Sequence, residues 1–188
     1  KEANIRGVES FGMICSLSEL GVNEKLLSEQ QLSGIEVLET DAPVGHEDVL
    51  AYLGLDDAIL DVDLTPNRSD CYAMFNLVHE VSAILEKKNN LPHVPDHSAG
   101  NDTTLTVTSE SDPSLQVVGK IINDVTIKPS VPWMVEVLRA NNMQAINNVV
   151  DISNIVMLET GQPLHFYDKD KMPKAELIVK SGVTETYK

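Results

Sequence analysis

The chain has 188 residues, 42% of them hydrophobic, which is enough for one or two domains with a real core and excludes disorder throughout. A formal net charge of −15 excludes the basic footprint by which nucleic-acid binders neutralise phosphates, so any RNA contact is expected to be local, at a single-stranded end. Two cysteines and no run of about 18 apolar residues argue against a disulfide framework and a membrane-spanning helix, and a reducing cytoplasm is the expected setting.

The first residues, Lys-Glu-Ala-Asn-Ile-Arg-Gly, hold neither an apolar core nor a small-residue cleavage pattern, and they lack an initiator Met. The chain is therefore read as an internal piece of a longer protein. Residues 4–16 mix β-branched side chains with Gly7 and Gly12, which predicts strands joined by a tight turn. Ser16 to Gly21 reads as one capped helical turn closed by glycine. A short strand is expected at 35–38, a turn at 42–45, and a short helix around 48–53 stopped by Gly54.

Residues 58–64 alternate apolar and acidic side chains, the period of a half-buried strand. Thr65-Pro-Asn-Arg-Ser-Asp70 is turn chemistry followed by a helix over about 71–87. Cys71, Met74, Val78, Val81 and Leu85 form its apolar face, with Glu80, Lys87 and Lys88 outward. Asn89 to Asp102, with two prolines and a glycine, is the best linker in the sequence. Strands are expected at 104–108, 117–127 and 176–180. Helices are expected at about 132–141, with Pro132 in the first turn, and about 149–159, closed by Gly161 and Pro163. The sum is an α+β fold of mixed short strands and helices, a fragment of a multidomain chain.

In Thr65–Asp70, Asn67 or Ser69 can cap a helix, Asp70 suits the positive end of its dipole, and Arg68 is expected to pair with Asp63 or Asp70. His93 and His97 have metal-like spacing but lie in a Pro-rich loop without further ligands, so no metal site is assigned. No Ser-His-Asp arrangement, phosphate-binding glycine loop or Walker lysine is present.

The informative stretch is 146–168. Asn147, Asn148, Asp151, Ser153, Asn154, Glu159, Gln162 and His165 are threaded through an otherwise apolar run. Burying such groups costs a few kcal/mol each unless they are hydrogen-bonded. The segment is therefore either a capped, polar-networked helix or part of a binding pocket. His165, just past the helix stop, is a candidate for orienting a substrate or water.

Three stretches, in order, resemble the bacterial phenylalanyl-tRNA synthetase beta subunit family. Ile5-Arg-Gly-Val-Glu-Ser-Phe-Gly-Met-Ile-Cys-Ser16 resembles the end of its OB-fold tRNA-binding domain. Asp63-Leu-Thr-Pro-Asn-Arg-Ser-Asp70 with its helix resembles the core module that follows. Ile146 to Asp168, preceded by Pro129-Ser-Val-Pro-Trp-Met134, resembles the start of the B3/B4 editing domain. The resemblance implies an OB tail at 1–45, a strand-turn-helix module at 46–90, a linker at 91–103 and the N-terminal part of B3/B4 at 104–188.

It also implies a function. The family attaches phenylalanine to its tRNA with ATP and magnesium, in a catalytic site on the alpha subunit, and B3/B4 hydrolyses tyrosine wrongly attached to that tRNA. An apolar pocket cannot strongly reject a near-isostere that only adds a hydroxyl, so a second site is needed. By similarity Ser153 and Asn154 bind substrate and His165 acts in catalysis. Ser153 replaces the family's usual threonine. The implied partners are tRNA(Phe) and the alpha subunit, and no cofactor is bound by this piece itself. The resemblance places a glycine-rich loop and a tyrosine-reading glutamate downstream, so the pocket is expected to be incomplete here. The alternative is a non-catalytic scaffold that positions tRNA or the alpha subunit.

Overall fold

The computed structural model describes residues 2–38, 40–93, 104–110, 117–182 and 184. Most of the expected linker, with His97, lies outside the described residues. The architecture is α+β, with helices and short strands in the order β1 (Ala3–Ile5), β2 (Val8–Ser10), α1 (Glu29–Leu32), α2 (Val49–Tyr52), α3 (Met74–Ile84), β3 (Thr106–Ser109), α4 (Pro132–Ala140), α5 (Asn148–Thr160) and β4 (Glu176–Val179).

β1 and β2 form an antiparallel hairpin with Ile5 opposite Val8. The two intervening residues, Arg6 and Gly7, both take positive φ, which matches the twist of the flanking strands. Ser16 and Glu19 then close the expected capped turn. The Glu19 carboxylate accepts from the Ser16 amide at 2.8 Å, and that bond, with a second from the hydroxyl, holds Glu19 below the usual carboxylate range. α1 was not expected from the sequence. Ser28 and Gln31 form a reciprocal capping box at its start.

Leu17, Val22 and Leu27 are buried together, and Leu53 and Leu55 pack against them. A second cluster joins Met134, Leu138 and Ile155 of α4 and α5, flanked by Met143, Ala145 and Leu158. β3 and β4 pair in parallel, with Thr106 opposite Glu176 and Ser109 opposite Val179. Gly119 lies against this pair so closely that a Cβ there would meet Val107 Cγ2 at 2.6 Å.

Several expected elements differ. Residues 35–38, 58–64 and 117–127 form no strand among the described residues. Ile59 and Leu60 are accordingly 67% and 86% exposed, so the alternating pattern there finds no sheet to lie on. The helix expected at 71–87 divides into a 3-10 stretch, Pro66–Tyr72, and α3, because Ala73 between them takes an extended backbone conformation. Neither Asn67 nor Ser69 caps: Thr65 and Ala73 stand at the two N-caps, without side-chain bonds. The apolar face of α3 is only partly covered, with Val81 and Leu85 exposed.

Candidate functional site

α5 begins on a residue that explains its position. Asn147, in extended conformation, accepts the amides of Val149 and Val150 at 3.1 Å each, satisfying donors the helix start leaves open. Asn148 ties the helix to the chain that precedes α4. Its Oδ1 accepts the Lys128 amide at 3.1 Å and its Nδ2 donates to the Thr126 carbonyl at 3.0 Å. Asp151 is fully buried. It accepts the Ser130 hydroxyl at 2.5 Å and the Ile146 amide at 2.9 Å. The first turn of α5 is therefore the networked helix that its polar residues allowed, and each of the three serves the fold.

The next residues are placed differently. Ser153 and Asn154 are adjacent on α5 and half-buried. The Ser153 hydroxyl donates back to the Val150 carbonyl at 2.7 Å, which leaves its oxygen able to accept. The side chains of Asn154 and His165 make no hydrogen bond to other described residues. α5 ends at Gly161, whose φ of 74° turns the chain out of the helix while its amide reaches the Met157 carbonyl at 2.8 Å. The segment it releases, 161–170, is exposed throughout and carries His165. Ser153 and Asn154 thus share one helix turn, while His165 stands in the loop that follows, and no hydrogen bond joins it to them.

A second polar cluster lies where the 3-10 stretch meets α3. Arg68 donates to both carboxylate oxygens of Asp70, at 3.1 and 3.0 Å, and reaches Glu80 at 2.8 Å and the Cys71 sulfur at 3.1 Å. The expected partner Asp70 is the right one, but Glu80 faces Arg68 rather than water alone. Hydrogen bonds from the guanidinium hold Asp70 and Glu80 below the usual carboxylate range, and in turn raise Arg68. Burial pushes the Cys71 thiol up, so it is a neutral core group. Both cysteines are free.

Among the described residues, no three His, Cys, Asp or Glu side chains gather as a metal site, and no helix is long and apolar enough to cross a membrane. Sequence reasoning missed Arg139. It donates to the Leu53 carbonyl at 3.1 Å across 86 positions, a separation that leaves no local signal.

Residues 114–186, which hold α4, α5 and His165, match the model of the B3/4 domain. The chain is 42% identical over 183 residues to the phenylalanine–tRNA ligase beta subunit of Geobacillus kaustophilus, covering 96% of the chain and 23% of that protein. It is 44% identical over 186 residues to the Bacillus subtilis beta subunit, and 37% over 184 residues to that of Streptococcus thermophilus, with 97% and 23% covered in each case. The chain is homologous to one stretch of the phenylalanine–tRNA ligase beta subunit. It spans about a quarter of the length of these relatives, which are components of an aminoacyl-tRNA synthetase.

Proposed function

We propose that this chain forms part of a phenylalanine–tRNA ligase beta subunit and contributes one wall of a site that hydrolyses tyrosine mischarged on tRNA(Phe). The observation that carries the reading is the B3/4 match over 114–186, the stretch that includes Ser153, Asn154 and His165. The division of labour along α5 supports it. Asn147, Asn148 and Asp151 are committed to the fold, whereas Asn154, His165 and the Ser153 oxygen keep hydrogen-bonding capacity for a ligand.

The reaction in this reading is ester hydrolysis. Water attacks the aminoacyl carbonyl, the bond to the terminal ribose oxygen breaks, and free tyrosine and tRNA leave. His165 orients that water or the ribose, and Ser153 and Asn154 hold the substrate. A downstream glutamate, outside this chain, reads the tyrosine hydroxyl. The implied OB tail at 1–45 and module at 46–90 carry the tRNA and subunit contacts, in the cytoplasm. ATP and magnesium serve the alpha subunit, and no residue of this chain is assigned to them. The acidic charge of the chain fits a local grip on the acceptor end, with the RNA body held elsewhere.

The test is deacylation of tyrosyl-tRNA(Phe) by the complete alpha–beta ligase. His165→Ala is expected to slow it by about 100-fold or more, in the range for a lost positioning or acid–base group. A scaffold role is the second reading, favoured by the exposed apolar side chains Ile122, Ile127 and Trp133. Unchanged deacylation with weaker subunit assembly would select it.

A further inference from the structure

We infer that Arg139 is a positioning residue for the α5 site, latching α4 to the carbonyl of Leu53 so that the N-terminal apolar cluster and the α4–α5 pair move as one body. The inference rests on the editing reading for its consequence, though not for its geometry. The two apolar clusters have no residue in common: one holds Leu17, Val22, Leu27, Leu53 and Leu55, the other Met134, Leu138 and Ile155 with their neighbours. Something other than a continuous core must fix one against the other.

Two successive residues of the N-terminal part dock on one face of α4. Leu53 follows α2, and its carbonyl accepts Arg139 Nη1 at 3.1 Å. Such a carbonyl, past the end of a helix, has no intrahelical partner of its own. Gly54 comes next, at a φ of 63°, and a Cβ there would lie 2.3 Å from Glu136 Cγ. Glu136 and Arg139 are three residues apart, hence neighbours on the helix surface. The backbone of residues 53 and 54 therefore sits directly on this face of α4.

Apolar packing does not close the junction. A cleft of about 90 Å³ remains between Leu26, Ser28 and Gln31 on one side and Val135, Arg139 and Met143 on the other. The guanidinium, half-buried and in no ion pair among the described residues, bridges the two parts beside it. Leu138, next to Arg139, is fully buried and packs with Ile155, which follows Ser153 and Asn154 on α5. A shift of α4 is thus carried directly to the two candidate substrate-binding residues. Misplacing such groups by as little as about 1 Å can cost up to about 100-fold in rate.

The experiment uses the complete ligase, with deacylation of tyrosyl-tRNA(Phe) measured beside phenylalanine attachment, thermal unfolding and amide hydrogen exchange. Arg139→Ala is expected to lower the deacylation kcat about tenfold while KM, aminoacylation and the thermal midpoint stay near wild type. Exchange in residues 49–55 and 148–160 is expected to accelerate together. Arg139→Lys, which can still donate to Leu53, is expected to recover most of the loss. If the alanine variant does not assemble, Arg139→Gln carries the test, with an expected loss of about threefold. A variant with a lowered thermal midpoint but normal kcat would reduce Arg139 to a stabilising contact and overturn the inference. Normal kcat with normal exchange would overturn it as well. If the wild-type ligase itself does not deacylate, the editing reading fails, and the exchange data alone decide whether the latch exists.

Discussion

Ser130 donates its hydroxyl to Asp151 at 2.5 Å across 21 positions of sequence, and Asp151 is fully buried. The other carboxyl oxygen of Asp151 takes the Ile146 amide at 2.9 Å. One side chain thereby pins the approach to α4 and the approach to α5 onto the first turn of α5. Asp151→Ala would strand a hydroxyl and a backbone amide, each costing about 1–3 kcal/mol when left without a partner. The expected loss of stability is about 3 kcal/mol. Asp151→Asn, which keeps one accepting oxygen, is expected to lose less. Urea unfolding of the three proteins gives the comparison directly.

Asn148 offers a more local test. Its side chain holds the Lys128 amide and the Thr126 carbonyl. Asn148→Ala is expected to cost about 1–2 kcal/mol, with Asn148→Asp losing only the donor half. Amide exchange at Lys128 should rise in both, more in the alanine variant. An unchanged rate there would mean that the stretch is held by its backbone bond to Asn148 alone.

How far these features could be read in advance depended on the range of the interaction. Pro132 at the start of α4 and Gly161 at the end of α5 act within one turn, so both helices were legible. The Arg6–Gly7 turn was legible for the same reason. The Ser28–Gln31 capping box obeys an equally local rule but was missed, because α1 is only four residues long and shows no apolar period. Residues 58–64 show the converse. Alternation records which side chains can share a face, yet a strand also needs a partner ladder, and among the described residues none is offered. The polar residues of α5 left two readings open because a network and a pocket demand the same side chains. In the structure Asn147, Asn148 and Asp151 bond to the fold, which makes the first turn a network, while the Asn154 side chain makes no hydrogen bond to other described residues.

The Arg68 cluster predicts a pH dependence. Its guanidinium bonds lower Asp70 and Glu80 from ordinary values of 3.8 and 4.5. A carboxylate lowered in the folded state binds its proton later than the same group in the unfolded chain. The stabilisation is therefore complete above the unfolded values and is lost as pH falls through the lower folded ones. Arg68→Ala should destabilise the protein at pH 6, and its deficit relative to wild type should shrink as pH falls below about 4.5. The three side chains are about half exposed, so salt should weaken the effect. Urea midpoints measured between about pH 6 and pH 3 test the sign. A deficit independent of pH would assign the role of Arg68 to packing around Cys71.

Gly161 joins the end of α5 to the segment that carries His165. Its φ of 74° is left-handed, where a side chain costs about 1–2 kcal/mol. A Cβ would also approach the Ala73 Cβ at 3.2 Å, at the start of α3. The neighbour is the rigid root of a helix, so little relief is available by moving it. Gly161→Ala is therefore expected to lower stability by about 2 kcal/mol. Ala73→Gly should recover only the contact part, because it opens space without relieving the backbone. In the complete ligase, Gly161→Ala redirects the chain just before His165, and deacylation of tyrosyl-tRNA(Phe) should fall while phenylalanine attachment holds. Equal loss of both activities would instead show that the substitution disrupts the subunit as a whole.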